Sequence, residues 1–237
     1  MDKLLLVDGS NLLFQMFYGM PSRILNRNGK PIHGVLGFIG ALLKIIRAIS
    51  PSHVLILFDG EHENPRKDLL TEYKSNRIDY SKVSEEENPF SQLEDIYNAL
   101  RYLKIPFYET KDYEADDYIA SYIKNNPNLN IVISSWDSDL FSLISSNVCI
   151  YRYKGENSYI CDINYLKNKY DIAPSQYTLF KALCGDKSDN IPGIKGIGPK
   201  TASKLVNLYK SIDDIYDNIE VIKEKKLLEN NKETLKT

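Results

Sequence analysis

Cysteine is scarce in this chain, and its few copies are badly placed for structure. Cys149, Cys161 and Cys184 are odd in number and widely spaced, so they supply neither a disulfide framework nor a zinc spacing. The three histidines, His33, His53 and His62, have no ligand spacing and fall in no motif, which argues against a histidine general base. No apolar run is long enough to span a bilayer. The first one, Leu4-Leu5-Leu6-Val7, stops at Asp8, too short for a secretory signal. There is no Gly-x-x-x-x-Gly-Lys-Ser/Thr loop, so nucleoside triphosphate hydrolysis is unsupported. Internal repeats and low-complexity segments are absent as well. These absences predict a cytoplasmic protein with no membrane partner.

An excess of positive charge is also missing. The formal net charge is −2, from 30 basic and 32 acidic residues. That balance conceals a pattern. Nine acids fall in five short clusters: Asp8, Asp59, Glu114 with Asp116 and Asp117, Asp137 with Asp139, and Asp186 with Asp189. Carboxylates gathered in one pocket repel each other and have raised pKa values unless cations neutralise them. Oxygen-only sets of this kind suit hard divalent ions such as Mg²⁺ or Mn²⁺. Setting those nine aside from the 32 acidic residues leaves 23 against 30 basic ones, so the outer surface can attract a polyanion while the pocket holds cations.

Periodicity places the clusters. Leu4–Val7 ends at Asp8, Val54–Phe58 ends at Asp59, and Ile131–Ile133 leads through Ser134-Ser135-Trp136 to Asp137. Continuous apolar runs of this length read as strands buried on both faces of a parallel sheet. Between them, Gly34–Ile49 and Leu93–Leu103 carry apolar residues at helical spacing. Alternating strands and helices predict an α/β fold, in which ligands bind beyond the carboxyl ends of the strands. Asp8, Asp59, Asp137 and Asp139 fall there. Glu114 and Asp117, three apart at a helix start, share one side. Residues 61–90 show little apolar periodicity and predict an exposed, mobile excursion over the sheet. Their basic residues and the interleaved Tyr73 suit phosphates and an unstacked base, although a solvated charged helix has the same composition. Val148–Tyr153 and Ser158–Cys161 predict a hairpin turning at Gly155. From Ile163 on the pattern is helical, over 163–170, 175–184, 199–209 and 212–230. The domain boundaries expected are thus an α/β core over 1–162 and a helical part over 163–237.

The helical part carries a second chemistry. In Gly196-Ile197-Gly198-Pro199-Lys200-Thr201-Ala202 the glycines let the backbone approach another chain closely, and Pro199 suits the first turn of a helix. The free N–H groups there bind phosphate, with Lys200 and Thr201 adding side-chain contacts. A metal pocket beside a phosphate grip points to phosphodiester chemistry.

Six motifs then carry a resemblance. Val7-Asp8-Gly9-Ser10-Asn11-Leu12, Phe58-Asp59-Gly60, Glu72-Tyr73-Lys74-Ser75-Asn76-Arg77, Tyr113-Glu114-Ala115-Asp116-Asp117, Asp137-Ser138-Asp139-Leu140 and Gly185-Asp186-Lys187-Ser188-Asp189-Asn190-Ile191-Pro192-Gly193 stand in the order found in bacterial and phage 5′-3′ exonucleases. Over roughly residues 2–210 the chain resembles the 5′-nuclease domain of DNA polymerase I and the flap endonucleases, in a free-standing form. The resemblance implies a PIN-like α/β nuclease core with a helical arch at about 61–90, and a helix–turn–helix-type DNA-binding part with a glycine-rich loop at 185–202. It implies that Asp8, Asp59, Glu114, Asp116 and Asp117 hold one Mg²⁺ or Mn²⁺ while Asp137, Asp139, Asp186 and Asp189 serve a second. Lys74 and Arg77 would act on the scissile phosphate, Arg66 would contact phosphate, and Tyr73 would stack on a base. Gly196, Gly198, Lys200 and Thr201 would grip the duplex with a bound K⁺. The implied substrate is DNA with a 5′ end or 5′ flap, cut to leave a 5′-phosphate and a 3′-hydroxyl. The implied state is a monomer near the nucleoid, working with a polymerase in trans.

The chain departs from the family pattern at several points. Trp136 and Ser138 stand where Gly and Lys are usual, Gln15 where Arg is common and Gly60 where Ala is usual. Residues 78–90 match poorly, and the family usually continues past Thr237. Two other readings share part of the pattern. A PIN-like ribonuclease would have the strand-end acids without the glycine-rich grip, and a non-catalytic DNA-junction binder would have lost its chemistry at Trp136 and Ser138.

Overall fold

The computed structural model describes residues 2–60, 73–76 and 78–224. Its chain divides into two units. The first comprises Met1–Glu63, Ile78–Leu140 and Ile144–Cys161, and the second Asn64–Arg77, Phe141–Leu143 and Asp162–Thr237.

The first unit is built on a six-stranded sheet of order β3-β2-β1-β4-β5-β6, formed by β1 (Lys3–Asp8), β2 (His53–Phe58), β3 (Phe107–Glu109), β4 (Asn130–Ser134), β5 (Val148–Arg152) and β6 (Tyr159–Cys161). Every neighbouring pair is parallel except β5 and β6. The apolar runs are continuous because the central strands are covered twice: Leu5, Leu6 and Val7 are all fully buried. Alternate residues point to opposite faces. Leu5, Val7, Ile56, Phe58 and Val132 join one core cluster with α1 (Gly9–Gly19), α2 (His33–Ile49) and α3 (Leu93–Leu103). On α4 (Ala115–Asn125), which packs against β1 and β2, Ile119 is fully buried. The architecture is the expected α/β fold with a mostly parallel sheet flanked by helices. The predicted hairpin is the antiparallel β5–β6 pair. Strand β3 carried no sequence signal, being a three-residue, half-exposed sheet edge.

Residues 78–92 depart from the expected free excursion. Two single-turn 3₁₀ helices, Tyr80–Lys82 and Pro89–Gln92, lie along this stretch. Tyr80 and Phe90 pack edge-on against Phe14 of α1, each with ring centroids 5.4 Å from it and 5.5 Å from one another. The Tyr18 and Tyr80 hydroxyls lie 2.9 Å apart. Two isolated aromatics anchor the segment without helical periodicity, which is why its apolar pattern looked empty. The rest of the expected arch lies outside the described residues, apart from 73–76.

The second unit is helical: α5 (Ile163–Tyr170), α6 (Tyr177–Cys184), α7 (Pro199–Leu208), α8 (Ile212–Asp217) and α9 (Ile219–Glu224). Phe141 packs against Tyr165 and Tyr177, and Leu166, Phe180, Leu183, Ala202 and Leu205 are buried in the same unit. The expected single helix over 212–230 is instead broken at Asn218. Its side-chain amide donates to the Asp214 carbonyl at 2.9 Å, taking an acceptor that a continuous helix would use for the next turn. Residues 225–230 lie outside the described residues. No helix among the described residues is long and apolar enough to cross a membrane.

Candidate active site

Asp8 ends β1 and caps α1, its Oδ1 accepting the Asn11 backbone N–H at 2.9 Å. Its Oδ2 accepts from the Ser135 hydroxyl at 2.9 Å. The side chain is buried, and burial pushes its pKa up to about 7, with the neighbouring charge of Asp59 adding to the rise and that of Asp137 adding less. The Asn11 and Ser135 hydrogen bonds pull the other way. Carboxylates from three different strand ends therefore share one electrostatic environment, as parallel strands with a common carboxyl edge require.

Asp59 follows β2. Its backbone N–H donates to Ser10 Oγ at 2.9 Å, and its Oδ1 accepts the Ala115 N–H at 2.7 Å. Ala115 opens α4, and the side chain of the N-cap residue Glu114 makes no capping bond. A carboxylate from the neighbouring strand thus satisfies a free N–H at the positive end of this helix, drawing the Glu114-Ala115-Asp116-Asp117 turn to the sheet edge. Gly60 makes that junction possible. A Cβ there would lie 1.9 Å from the Thr110 carbonyl oxygen. Gly60→Ala is therefore expected to destabilise the protein by about 1–3 kcal/mol, read as a lower midpoint in chemical denaturation, although Ala is the usual family residue.

The β4 side is laced by short bonds. Ser135 Oγ accepts the Asp137 N–H at 2.9 Å while donating to Asp8, and Asp137 Oδ1 accepts the Asp139 N–H at 2.8 Å. Asp116 and Asp139 each keep one buried carboxylate oxygen, Oδ1, outside any hydrogen bond, while each residue is engaged elsewhere. Among the described residues no three Asp, Glu, His or Cys side chains stand close enough together to hold a metal ion as they are turned. The donor set, all oxygen and mutually repelling around a buried Asp8, still fits a hard divalent ion.

The second unit holds the other pair. Asp186 contacts the Lys181 ammonium and accepts from the Ser188 N–H at 2.8 Å. Burial raises its pKa, but Lys181 and the Ser188 bonds outweigh this and hold it below the usual carboxylate range. Two sequence motifs interlock here. Lys74, at φ 54°, donates its N–H to the Asp189 carbonyl at 3.0 Å. Asn76 bonds the Lys187 carbonyl at 3.2 Å, and Asn190 bonds Ser75 Oγ at 3.0 Å. Tyr73 is only 6% exposed, with Lys74 Nζ 4.9 Å from its ring centroid. Its ring faces protein, where a free face had been expected. Arg66 and Arg77 lie outside the described residues. Gly196 has φ 86°, and Gly198 is the N-cap of α7 with Pro199 in the first turn. No side chain caps that end, and Lys200 and Thr201 lie in its first turn. Sequence reasoning missed Ser10, Asn11 and Ser135 as supports of the acids. Their signal was adjacency to Asp8 and Asp137 in residue types that accept or donate at short range.

A parallel sheet with clustered aspartates at its carboxyl edge, on a chain that also carries an uncapped glycine-led helix end, has the parts of an α/β nuclease. The chain belongs to the 5′-3′ exonuclease family. Residues 3–171 match that family's N-terminal resolvase-like domain and residues 172–237 its C-terminal SAM fold. It is 34% identical to DNA polymerase I of Caldicellulosiruptor bescii over 93% of this chain and 26% of that protein. It is 35% identical to DNA polymerase I of Borreliella burgdorferi over 95% of this chain and 25% of that protein. The chain therefore spans only a small part of these relatives' length. Among solved structures it resembles T5 5′-exonuclease bound to zinc, with TM-score 0.74 and 25% identity over 92% of this chain and 79% of that one. It also resembles a T5 flap endonuclease complex with DNA and metal ions, with TM-score 0.73 and 25% identity over 92% and 79%.

Proposed function

We propose that this protein is a structure-specific 5′ nuclease that hydrolyses DNA phosphodiester bonds at 5′ ends and 5′ flaps, leaving a 5′-phosphate and a 3′-hydroxyl. The observation that carries the reading is the buried Asp8, raised to about 7 beside Asp59 and Asp137 at the carboxyl edge of the sheet. A protein keeps such a costly arrangement where a cation is to be bound. Asp8, Asp59, Glu114, Asp116 and Asp117 would hold one Mg²⁺ or Mn²⁺, and Asp137 and Asp139 a second. Asp186 and Asp189 are assigned to that second ion by their motif alone. When bound, two such ions supply an activated water and neutralise charge on the attacking and leaving oxygens.

The chain's own residues do the rest. Ser135 holds Asp8 and the Asp137 loop together, and Asp59 fixes the α4 turn. Lys74 would add positive charge at the scissile phosphate, in company with Arg77. The uncapped start of α7, with Gly196, Gly198, Lys200 and Thr201, would take duplex phosphates, with K⁺ held by the preceding loop. Base stacking by Tyr73 would require its ring to be uncovered when DNA binds, and Arg66 would meet phosphate from the same arch. The expected partner is 5′-flapped DNA met by a monomer.

Cleavage of a labelled 5′-flap duplex with Mg²⁺ tests this. Asp117→Asn is expected to cut on the order of 10²–10³-fold more slowly than wild type. An inert wild type, an equally active variant or faster cutting of an RNA flap would sink the reading.

A further inference from the structure

Trp136 stands between Ser135, which bonds Asp8, and Asp137, and every polar handle it has is held. Its backbone N–H donates to Asn11 Oδ1 at 3.0 Å, and its carbonyl accepts from Arg152 Nη2 at 3.0 Å. Its indole Nε1–H donates to the Tyr153 carbonyl at 2.9 Å. The Arg152 guanidinium lies 5.3 Å from the indole ring, and Tyr159 meets the ring edge-on at 6.2 Å. Arg152 closes β5, two strands away from β1 in the sheet, and it is 7% exposed. Gln15 Nε2 donates to the same Tyr153 carbonyl at 2.7 Å. Two of the residues that depart from the family pattern, Gln15 and Trp136, therefore meet on one acceptor.

We infer that Arg152 and Trp136 are positioning residues for the metal-binding carboxylates Asp137 and Asp139. The segment between β4 and Asp137 is irregular, so no strand ladder fixes its peptides. Arg152 replaces the missing ladder with a charge-assisted bond to the Trp136 carbonyl and covers the indole face with its guanidinium. The Tyr153 carbonyl, with its two lone pairs, takes the far end of the indole. One arginine and one large ring thus hold the peptide immediately before Asp137 from both sides. Asn11 and Ser135 tie the same segment back to Asp8. A large side chain where Gly is usual is accommodated against β5 and β6, where Arg152 and Tyr159 meet its ring. Partners that orient ligating groups typically govern metal affinity by 10–100-fold.

The inference rests on the proposed reading that Asp137 and Asp139 serve a metal ion, and the test separates the two. Mn²⁺ binding to the whole chain is followed by the electron paramagnetic resonance signal of free Mn²⁺, with thermal melting to confirm that each variant is folded. Wild type is expected to bind two ions, and Asp137→Asn identifies the site that its carboxylate serves. Arg152→Met is expected to weaken that site about tenfold and to leave the other within about twofold. Trp136→Phe keeps the ring under Arg152 but removes the indole N–H, and is expected to weaken the same site about fivefold. This milder variant carries the test if Arg152→Met fails to fold. A single ion in wild type, or no change in Asp137→Asn, overturns the metal role of the loop and the positioning role with it. Two ions in wild type, one lost in Asp137→Asn but both kept at full affinity in folded Arg152→Met and Trp136→Phe, overturns the positioning role alone.

Discussion

Asp8→Asn is expected to melt above wild type in the absence of divalent ions at about pH 8, while cutting a 5′-flapped duplex on the order of 10³-fold more slowly. The stability gain follows from linkage. The Asp8 carboxyl titrates at an ordinary value of 3.8 when unfolded and at about 7 when folded. Below the first value both states hold the proton and nothing is lost. Between the two, the folded state binds a proton that the unfolded state has released, so stability falls as pH rises. Above about 7 the full penalty stands. At about 1.4 kcal/mol per pH unit, it is on the order of 4 kcal/mol. An asparagine carries no such charge. Its Oδ1 still accepts the Asn11 N–H, and its amide can donate to Ser135 Oγ in place of the reversed bond. If half of the penalty is recovered, the melting temperature rises by about 5 °C. Divalent ions should raise the melting temperature of wild type more at pH 8 than at pH 5, and that of Asp8→Asn much less at either. A variant that melts lower than wild type without metal, or a wild type whose metal-free stability is flat between pH 4 and pH 8, contradicts the strained carboxylate at the strand end.

The same residue shows which parts of the site could be read from the sequence. Asp8, Asp59 and Asp137 were legible because each ends or closely follows an apolar run, and parallel strands put such ends on one edge. The fold class followed from the same runs. What stayed hidden depends on contacts between residues far apart in the chain. Asp59 reaches the first turn of α4 through Ala115, 56 residues on, and nothing local marks that bond. Ser135 looks like a small strand-end residue until its hydroxyl is seen between Asp8 and Asp137. Trp136 stands where Gly is usual, beside a predicted metal ligand, yet its ring is met by Arg152 and Tyr159. Tyr80 and Phe90 are too sparse to give a period and still anchor residues 78–92 on Phe14. The break at Asn218 turned on one side-chain amide that propensity does not price. Apart from Asn218, whose partner Asp214 lies four residues back, the residues misjudged share one feature: their role is set by a partner on another element.

Gly193→Ala is expected to be strongly damaging to the second unit. Where β7 (Gly185–Asp186) and β8 (Ile191–Pro192) pair antiparallel, Gly185 pairs with Pro192 and lies close to the backbone of Gly193, which follows Pro192. A Cβ on Gly193 would lie 2.2 Å from the Cys184 carbonyl oxygen and 2.7 Å from the Gly185 nitrogen. Both are backbone atoms, so no side chain can swing aside, and the ribbon has to open. The Ile194 N–H bond to the Leu183 carbonyl, at 2.9 Å, closes the same neck and would be lengthened. Forcing such an overlap costs about 3 kcal/mol, or roughly 6–10 °C in melting temperature. The functional loss should exceed the loss of stability. The ribbon carries Asp186 and Asp189, and Asp189 holds the Lys74 backbone N–H, so opening the neck loosens a predicted metal ligand and a predicted phosphate contact together. Flap cleavage is therefore expected to fall on the order of 10²-fold at a temperature where the variant remains folded, since small misplacements of reacting groups have effects of that size. Gly198→Ala is the control. No atom lies within 4 Å of the Cβ it would add, and its φ of −89° suits any residue. It should cost less than about 1 kcal/mol, the scale of an altered N-cap. Equal melting of the two variants would mean that the neck of the ribbon is wider than its two glycines require.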